Sequence, residues 1–134
     1  MDGNIKGKIV DYLLEKVEPV YIILFGSQAK GDVHESSDVD LAFFSYKDFS
    51  SYERFIVAQE LADIIGFEVD LIDLKDVSTV MKAQIFHTGE VIYCANETLR
   101  QEHHMYAYSF YAKLNEERQV IIDRIKESGT IYGE

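Results

Sequence analysis

Residues 5–17 set apolar side chains three and four positions apart: Ile5, Ile9, Tyr12 or Leu13, then Val17. That spacing predicts an amphipathic helix, capped by Asn4 and closed by Pro19. "VYIILF" (20–25) is continuously apolar and short, which predicts a strand covered on both faces. "GSQAKG" breaks the run with two glycines around a short helical segment, and "DVHESS" is a polar loop. "DVDLAFF" (38–44) predicts a second strand. Residues 49–67 predict a helix capped by Ser50 or Ser51, with Phe55, Ala58, Leu61, Ala62 and Ile65 as its apolar stripe and Gly66 as its stop. A third strand follows in "FEVDLIDL" (67–74). Next comes a helix capped by Asp76 or Ser78 and ended by Gly89, and then a short strand in "EVIYCA" (90–95). From Asn96 or Thr98 to about Lys126 the pattern supports one long helix. The expected organisation is an α/β domain over 1–95, a long C-terminal helix over 96–127 packing on the domain or a partner, and a frayed tail over 128–134.

Composition narrows the function classes. The 134 residues suffice for one compact domain, and 47% hydrophobic content supports a real core. Formal net charge is −11 without a visible basic patch, which argues against broad nucleic-acid binding. The acidity suits a basic partner, a cationic small molecule or a site loaded with metal cations. The single cysteine, Cys94, forms no internal staple, and a cytoplasmic, reducing compartment is expected. The first 18 residues lack the apolar core of a signal peptide, and no window approaches a membrane span.

Two carboxylates open the second strand. Residues two apart on a strand share a face, so Asp38 and Asp40 are expected side by side while Val39 and Leu41 point into the core. Their mutual repulsion is relieved if a divalent cation lies between them, and Mg²⁺ prefers such oxygens. If the third strand lies beside the second, Asp70 can join them. Three carboxylates can then hold two metal ions suited to in-line phosphoryl displacement. Gly26 allows a sharp turn off the first strand, and the N–H groups that follow, with the Ser27 hydroxyl, form an anion site. Lys30 lies on the same segment and can face phosphates as a point charge.

The order strand, Gly26-Ser27, ten-residue spacer, Asp38-x-Asp40, helix and Asp70-bearing strand resembles the signature of polymerase-β-type nucleotidyltransferases, especially their minimal single-domain members. The resemblance covers residues 1 to about 95, and a long final helix is also typical of the minimal members. It implies a small mixed sheet flanked by helices. It also implies that Ser27 contacts nucleotide phosphates, that Asp38 and Asp40 bind two Mg²⁺ ions, and that Asp70 ligates the ion activating the acceptor hydroxyl, with ATP as donor. The family commonly has arginines where this chain has Gln28 and Lys30. Lysine keeps the charge but loses bidentate phosphate binding.

Minimal members of the resembled family often serve as antitoxins that transfer AMP to a tyrosine of a HEPN-type ribonuclease toxin. That activity is the expected function here. Two alternatives stand beside it. One is nucleotidyl transfer to a small polycation such as an aminoglycoside. The other is neutralisation of a partner by contact alone, which Gln28 and Lys30 motivate. On the long helix, Met105, Tyr106, Tyr108, Phe110, Tyr111 and Leu114 cover more than one face, which suggests a partner or self-association. Adjacent His103 and His104 point about 100° apart and are poor joint metal ligands. His87 is expected as a C-terminal helix cap, Cys94 as a small core residue, and Asp73 and Asp76 as strand-end and cap residues.

Overall fold

The computed structural model describes residues 2–26 and 38–127. The expected helical segment and polar loop between the first two strands, with Ser27, Gln28 and Lys30, lie outside the described residues, as does the tail 128–134. Among the described residues four helices and four strands run α1 (Gly3–Lys16), β1 (Tyr21–Phe25), β2 (Val39–Phe44), α2 (Ser51–Ile65), β3 (Val69–Asp73), α3 (Thr79–Thr88), β4 (Glu90–Cys94) and α4 (Glu97–Glu127). A single 3₁₀ turn, Leu74–Asp76, links β3 to α3. Among the described residues no helix is long and apolar enough to cross a membrane.

Local chemistry sets most of the boundaries. Ser50 and Glu53 exchange hydrogen bonds with each other's backbone N–H, a capping box that starts α2. Gly66 ends α2 in the left-handed region at φ 78°, which glycine enters without steric cost. Ser78 caps α3 by accepting from the Met81 N–H, and Asp73 caps the 3₁₀ turn by accepting from the Lys75 N–H. Asp76 instead pairs with Arg54. The cap of α1 is Asp2, which accepts from the Asn4 N–H. Asn4 itself lies two residues too far in, because Gly3 is already helical. Asn96 caps α4 through the Leu99 N–H.

The sheet order is β3-β2-β1-β4, with β2–β3 parallel and the other two pairings antiparallel. Both faces are covered, as the continuous apolar run of β1 requires. Ile22 and Leu24 join Val39, Leu41, Phe43 and Leu71 beneath α1 and α2, through Ile9, Leu13, Leu61 and Ile65. Tyr21 and Ile23 join Ala42 beneath α3 and α4, through Ile85, Phe86 and Ala107. At about 25 cal/mol per Å² of apolar surface removed from water, these two layers are the main stabilising contribution. One expected core residue fails: Phe55 is 57% exposed. Helix α2 begins beside β3, the edge strand, and among the described residues no further strand covers its first turns.

Helix α4 docks through one stripe. Ala107 is buried, and His103, His104, Tyr111 and Leu114 are half-buried. The Tyr21 hydroxyl and His103 Nδ1 are hydrogen-bonded at 2.7 Å, and His104 stacks on Phe86 at 5.2 Å. His87 lies in the last turn of α3, but the C-cap there is Gly89 rather than the expected His87, whose Nδ1 is instead 2.7 Å from the Tyr108 hydroxyl, tying α3 to α4. Cys94 packs against the second cluster, partly buried.

Candidate active site

Strand register brings the acidic residues together. Asp40 is the direct partner of Asp70 across the parallel β2–β3 pair, where strands lie about 4.8 Å apart. Val39 and Leu41 point to the α1–α2 layer, so Asp40, between them, emerges on the opposite face with Ala42. Asp70 alternates with Leu71 in the same way and shares the face of Ile72. Asp38 sits one residue before β2 and is exposed. The strand starts at Val39, one residue later than the apolar pattern suggested.

The electrostatics of the three carboxylates are coupled. Burial raises the Asp40 pKa above its ordinary value, and the negative charges of Asp70 and Asp38 raise it further. No lysine, arginine or histidine among the described residues forms an ion pair with any of the three. Among the described residues the concentrated negative charge therefore has no ion-paired cation.

Gly26 completes the junction. It follows β1 with φ 75°, and Phe25 is the register partner of Asp40. A Cβ at Gly26 would overlap the Asp40 carboxylate oxygen Oδ2, so glycine is required twice over, by backbone conformation and by space. Beside this turn a cleft of about 220 Å³ is lined by Phe25, Gly26, Met81, Gln84, Ile85 and Thr88. At the edge of the sheet, on its α2 side, Ser51, Arg54, Phe55, Gln59, Val69, Asp70 and Leu71 line a separate groove of about 300 Å³. Ser27 and Lys30 belong to the sequence motif but lie outside the described residues.

The donor set suits a hard divalent cation. It consists of carboxylate oxygens, unneutralised, with one of them held partly out of water. No three acidic, histidine or cysteine side chains among the described residues already close around one point. Mg²⁺ does not need such a cage, because it commonly takes one or two protein carboxylates and completes its shell with phosphate and water.

Sequence reasoning did not single out Arg54, Gln59, Met81, Gln84 or Thr88. Their places depend on how α2 and α3 lie against the sheet, for which a single sequence carries no periodic signal. Phe55 carried a misleading signal, since its spacing from Ala58 and Leu61 matches a buried stripe.

The comparisons with known proteins agree with this geometry. The family model described as "Polymerase beta, Nucleotidyltransferase" matches residues 7–98. The chain is 32% identical over 124 residues to protein adenylyltransferase MntA of Shewanella oneidensis, covering 90% of this chain and 86% of that one. A crystal structure of a toxin–antitoxin with AMP-PNP contains a similar chain, with TM-score 0.80 and 31% identity over 90% of this chain and 98% of that one. Another similar chain occurs in the structure of the tri-AMPylated Shewanella oneidensis HEPN toxin with MNT antitoxin. There the TM-score is 0.77 and identity 28%, covering 94% of this chain and 99% of that one. With Asp40 and Asp70 in register beside Gly26, and with a match spanning most of its length, the chain belongs to the polymerase beta nucleotidyltransferase family.

Proposed function

We propose that the chain is a Mg²⁺-dependent protein adenylyltransferase antitoxin, moving AMP from ATP to a tyrosine of a cognate HEPN-type toxin. The register pairing of Asp40 with Asp70 beside Gly26, unneutralised by any described cation, is the observation that carries the reading. The AMP-PNP in a similar structure supports ATP as donor, and the tri-AMPylated toxin in another supports a protein acceptor.

In this reading Asp38, Asp40 and Asp70 hold Mg²⁺, which supplies neutralisation of phosphate charge. The turn at Gly26, with Ser27 and Lys30, cradles the triphosphate. The cleft lined by Met81, Gln84 and Thr88 takes the nucleoside. Asp70, on the edge strand, orients the acceptor hydroxyl. The tyrosine oxygen bonds to the α-phosphorus, the bond from that phosphorus to the bridging oxygen breaks, and pyrophosphate leaves while the phenolic proton is released.

A second reading, neutralisation by contact alone, draws support from the exposed apolar surface of α4, including Met105, Tyr106 and Phe110. Co-expression with the toxin separates the two. The catalytic reading predicts growth rescue, with the purified toxin heavier by one or more adenylyl groups on tyrosine. The Asp38→Asn/Asp40→Asn protein should neither rescue nor modify. Rescue by that double variant, with the toxin unmodified, would select contact neutralisation.

A further inference from the structure

The cleft of about 220 Å³ beside Gly26 opens on the same face of the sheet as the carboxylates. Its Phe25, Met81 and Ile85 belong to the layer that covers Ala42, and Asp40 and Asp70 emerge on that face. Gly26 both lines the cleft and lies against the Asp40 carboxylate. A ligand held here reaches Asp40 past a residue with no side chain.

The cleft is apolar except along one edge. Of the described residues lining it, only Gln84 and Thr88 carry side-chain N–H or O–H groups, and both are exposed. They lie four apart on α3, neighbours on the helix surface. Thr88 is the nearer to the reacting centre. Leu24 pairs with Glu90, and continuing that antiparallel register brings Gly26 level with Thr88. Gln84 stands one turn, about 5.4 Å, further back along the helix.

The two side chains offer different chemistry. The Thr88 hydroxyl donates to the Gln84 main-chain carbonyl at 2.8 Å. Its single proton is committed there, so toward the cleft Thr88 presents lone pairs only, which suits a hydroxyl donor. The Gln84 amide presents an acceptor and a donor side by side, the complement of the 6-amino group and N7 of adenine. A 6-oxopurine would set two acceptors against it and leave the amide oxygen without a donor. In a nucleoside triphosphate the ribose follows the α-phosphate and the base lies beyond it. The order Asp40, Thr88, Gln84 matches the order phosphate, ribose, base.

Resting on the proposed adenylyl transfer, we propose that Thr88 and Gln84 select the nucleotide. Thr88 accepts from a ribose hydroxyl, and Gln84 reads the 6-amino and N7 edge of the base. Both determine specificity, and neither touches the reacting phosphorus.

The test is nucleotidyl transfer to the purified toxin from ATP, 2′-deoxy-ATP, 3′-deoxy-ATP and inosine triphosphate, which carries the 6-oxo group. Ratios of kcat/KM within one preparation do not depend on how much of it is folded, so a destabilised variant still reports. The wild type should favour ATP about tenfold over one of the deoxy analogues and about tenfold over inosine triphosphate, the size of one lost hydrogen bond each. Thr88→Val should bring the deoxy preference within about twofold and keep the preference over inosine triphosphate. Gln84→Met should do the reverse. Wild-type ratios in both variants, or the two effects exchanged between them, would overturn the assignment while leaving adenylyl transfer standing. Equal use of all four nucleotides by the wild type would also overturn it. Absence of transfer from every nucleotide by the wild type would overturn both readings.

Discussion

At the scale of single residues, Asp40 carries the largest conflict between stability and chemistry. Its pKa is raised in the fold by burial, then by Asp70 and Asp38. The folded protein therefore holds this proton more tightly than the unfolded chain. The stability cost of ionised Asp40 is absent below the unfolded value and grows as pH rises through the folded one. Asp40→Asn should therefore melt higher than wild type at neutral pH without Mg²⁺, by roughly 2–5 °C, while losing AMP transfer by at least about a hundredfold. Thermal melts with and without Mg²⁺ check this, since only the wild type should gain stability from the ion. Gly26→Ala should destabilise by about 1–3 kcal/mol, because it combines a left-handed φ with overlap on Asp40. Chemical denaturation reads that directly. The aspartates were legible in the sequence because strand alternation is a strict period of two. The exposure of Phe55 was not, because it depends on β3 lying at the edge of the sheet among the described residues.

At the scale of elements, α4 is longer than the body it packs on. Its 31 residues span about 46 Å. Buried or half-buried positions run from Leu99 to Leu114 and recur at Ile125, whereas residues 115–124 between them are exposed throughout, Val120, Ile121 and Ile122 among them. An isolated helical extension of this length is marginal in water, so a partner is expected to cover it. Replacing Val120, Ile121 and Ile122 together by serine should leave the melting temperature of the domain nearly unchanged and weaken toxin capture by more than about tenfold, as titration calorimetry would show. The docked half of α4 also carries a pH dependence. Burial lowers the pKa of both His103 and His104, so unfolding takes up protons. Their contribution is full above the ordinary value of 6.5 and is lost as pH falls from there toward the depressed folded values. Melts between about pH 7.5 and 5.5 should therefore show stability falling with acid, and replacing both histidines by glutamine should flatten that dependence. The helix and its apolar excess were visible in the sequence, and so were the caps of α2, α3 and α4, which are local, whereas α1 is capped by Asp2 and not by the expected Asn4. The strand order was not, since pairing β1 between β2 and β4 is decided by long-range contacts.

At the scale of the whole molecule, a net charge of −11 makes the protein a poor ligand for nucleic acid and a good one for a basic surface. Association with a basic toxin should slow markedly as salt rises, since long-range attraction is screened beyond about 10 Å at 0.1 M. Dissociation should change much less if the exposed apolar face of α4 is the contact proposed for the partner, and stopped-flow association and dissociation across a salt series separate the two. The most direct test of the central claim is a single-turnover reaction. The protein, Mg²⁺, toxin and ATP labelled at the α-phosphate are mixed, and label on toxin tyrosine is followed with time. Label should move to the toxin with release of pyrophosphate in the wild type, and transfer should fall by at least about a hundredfold in Asp70→Asn. Undiminished transfer by Asp70→Asn would contradict the account.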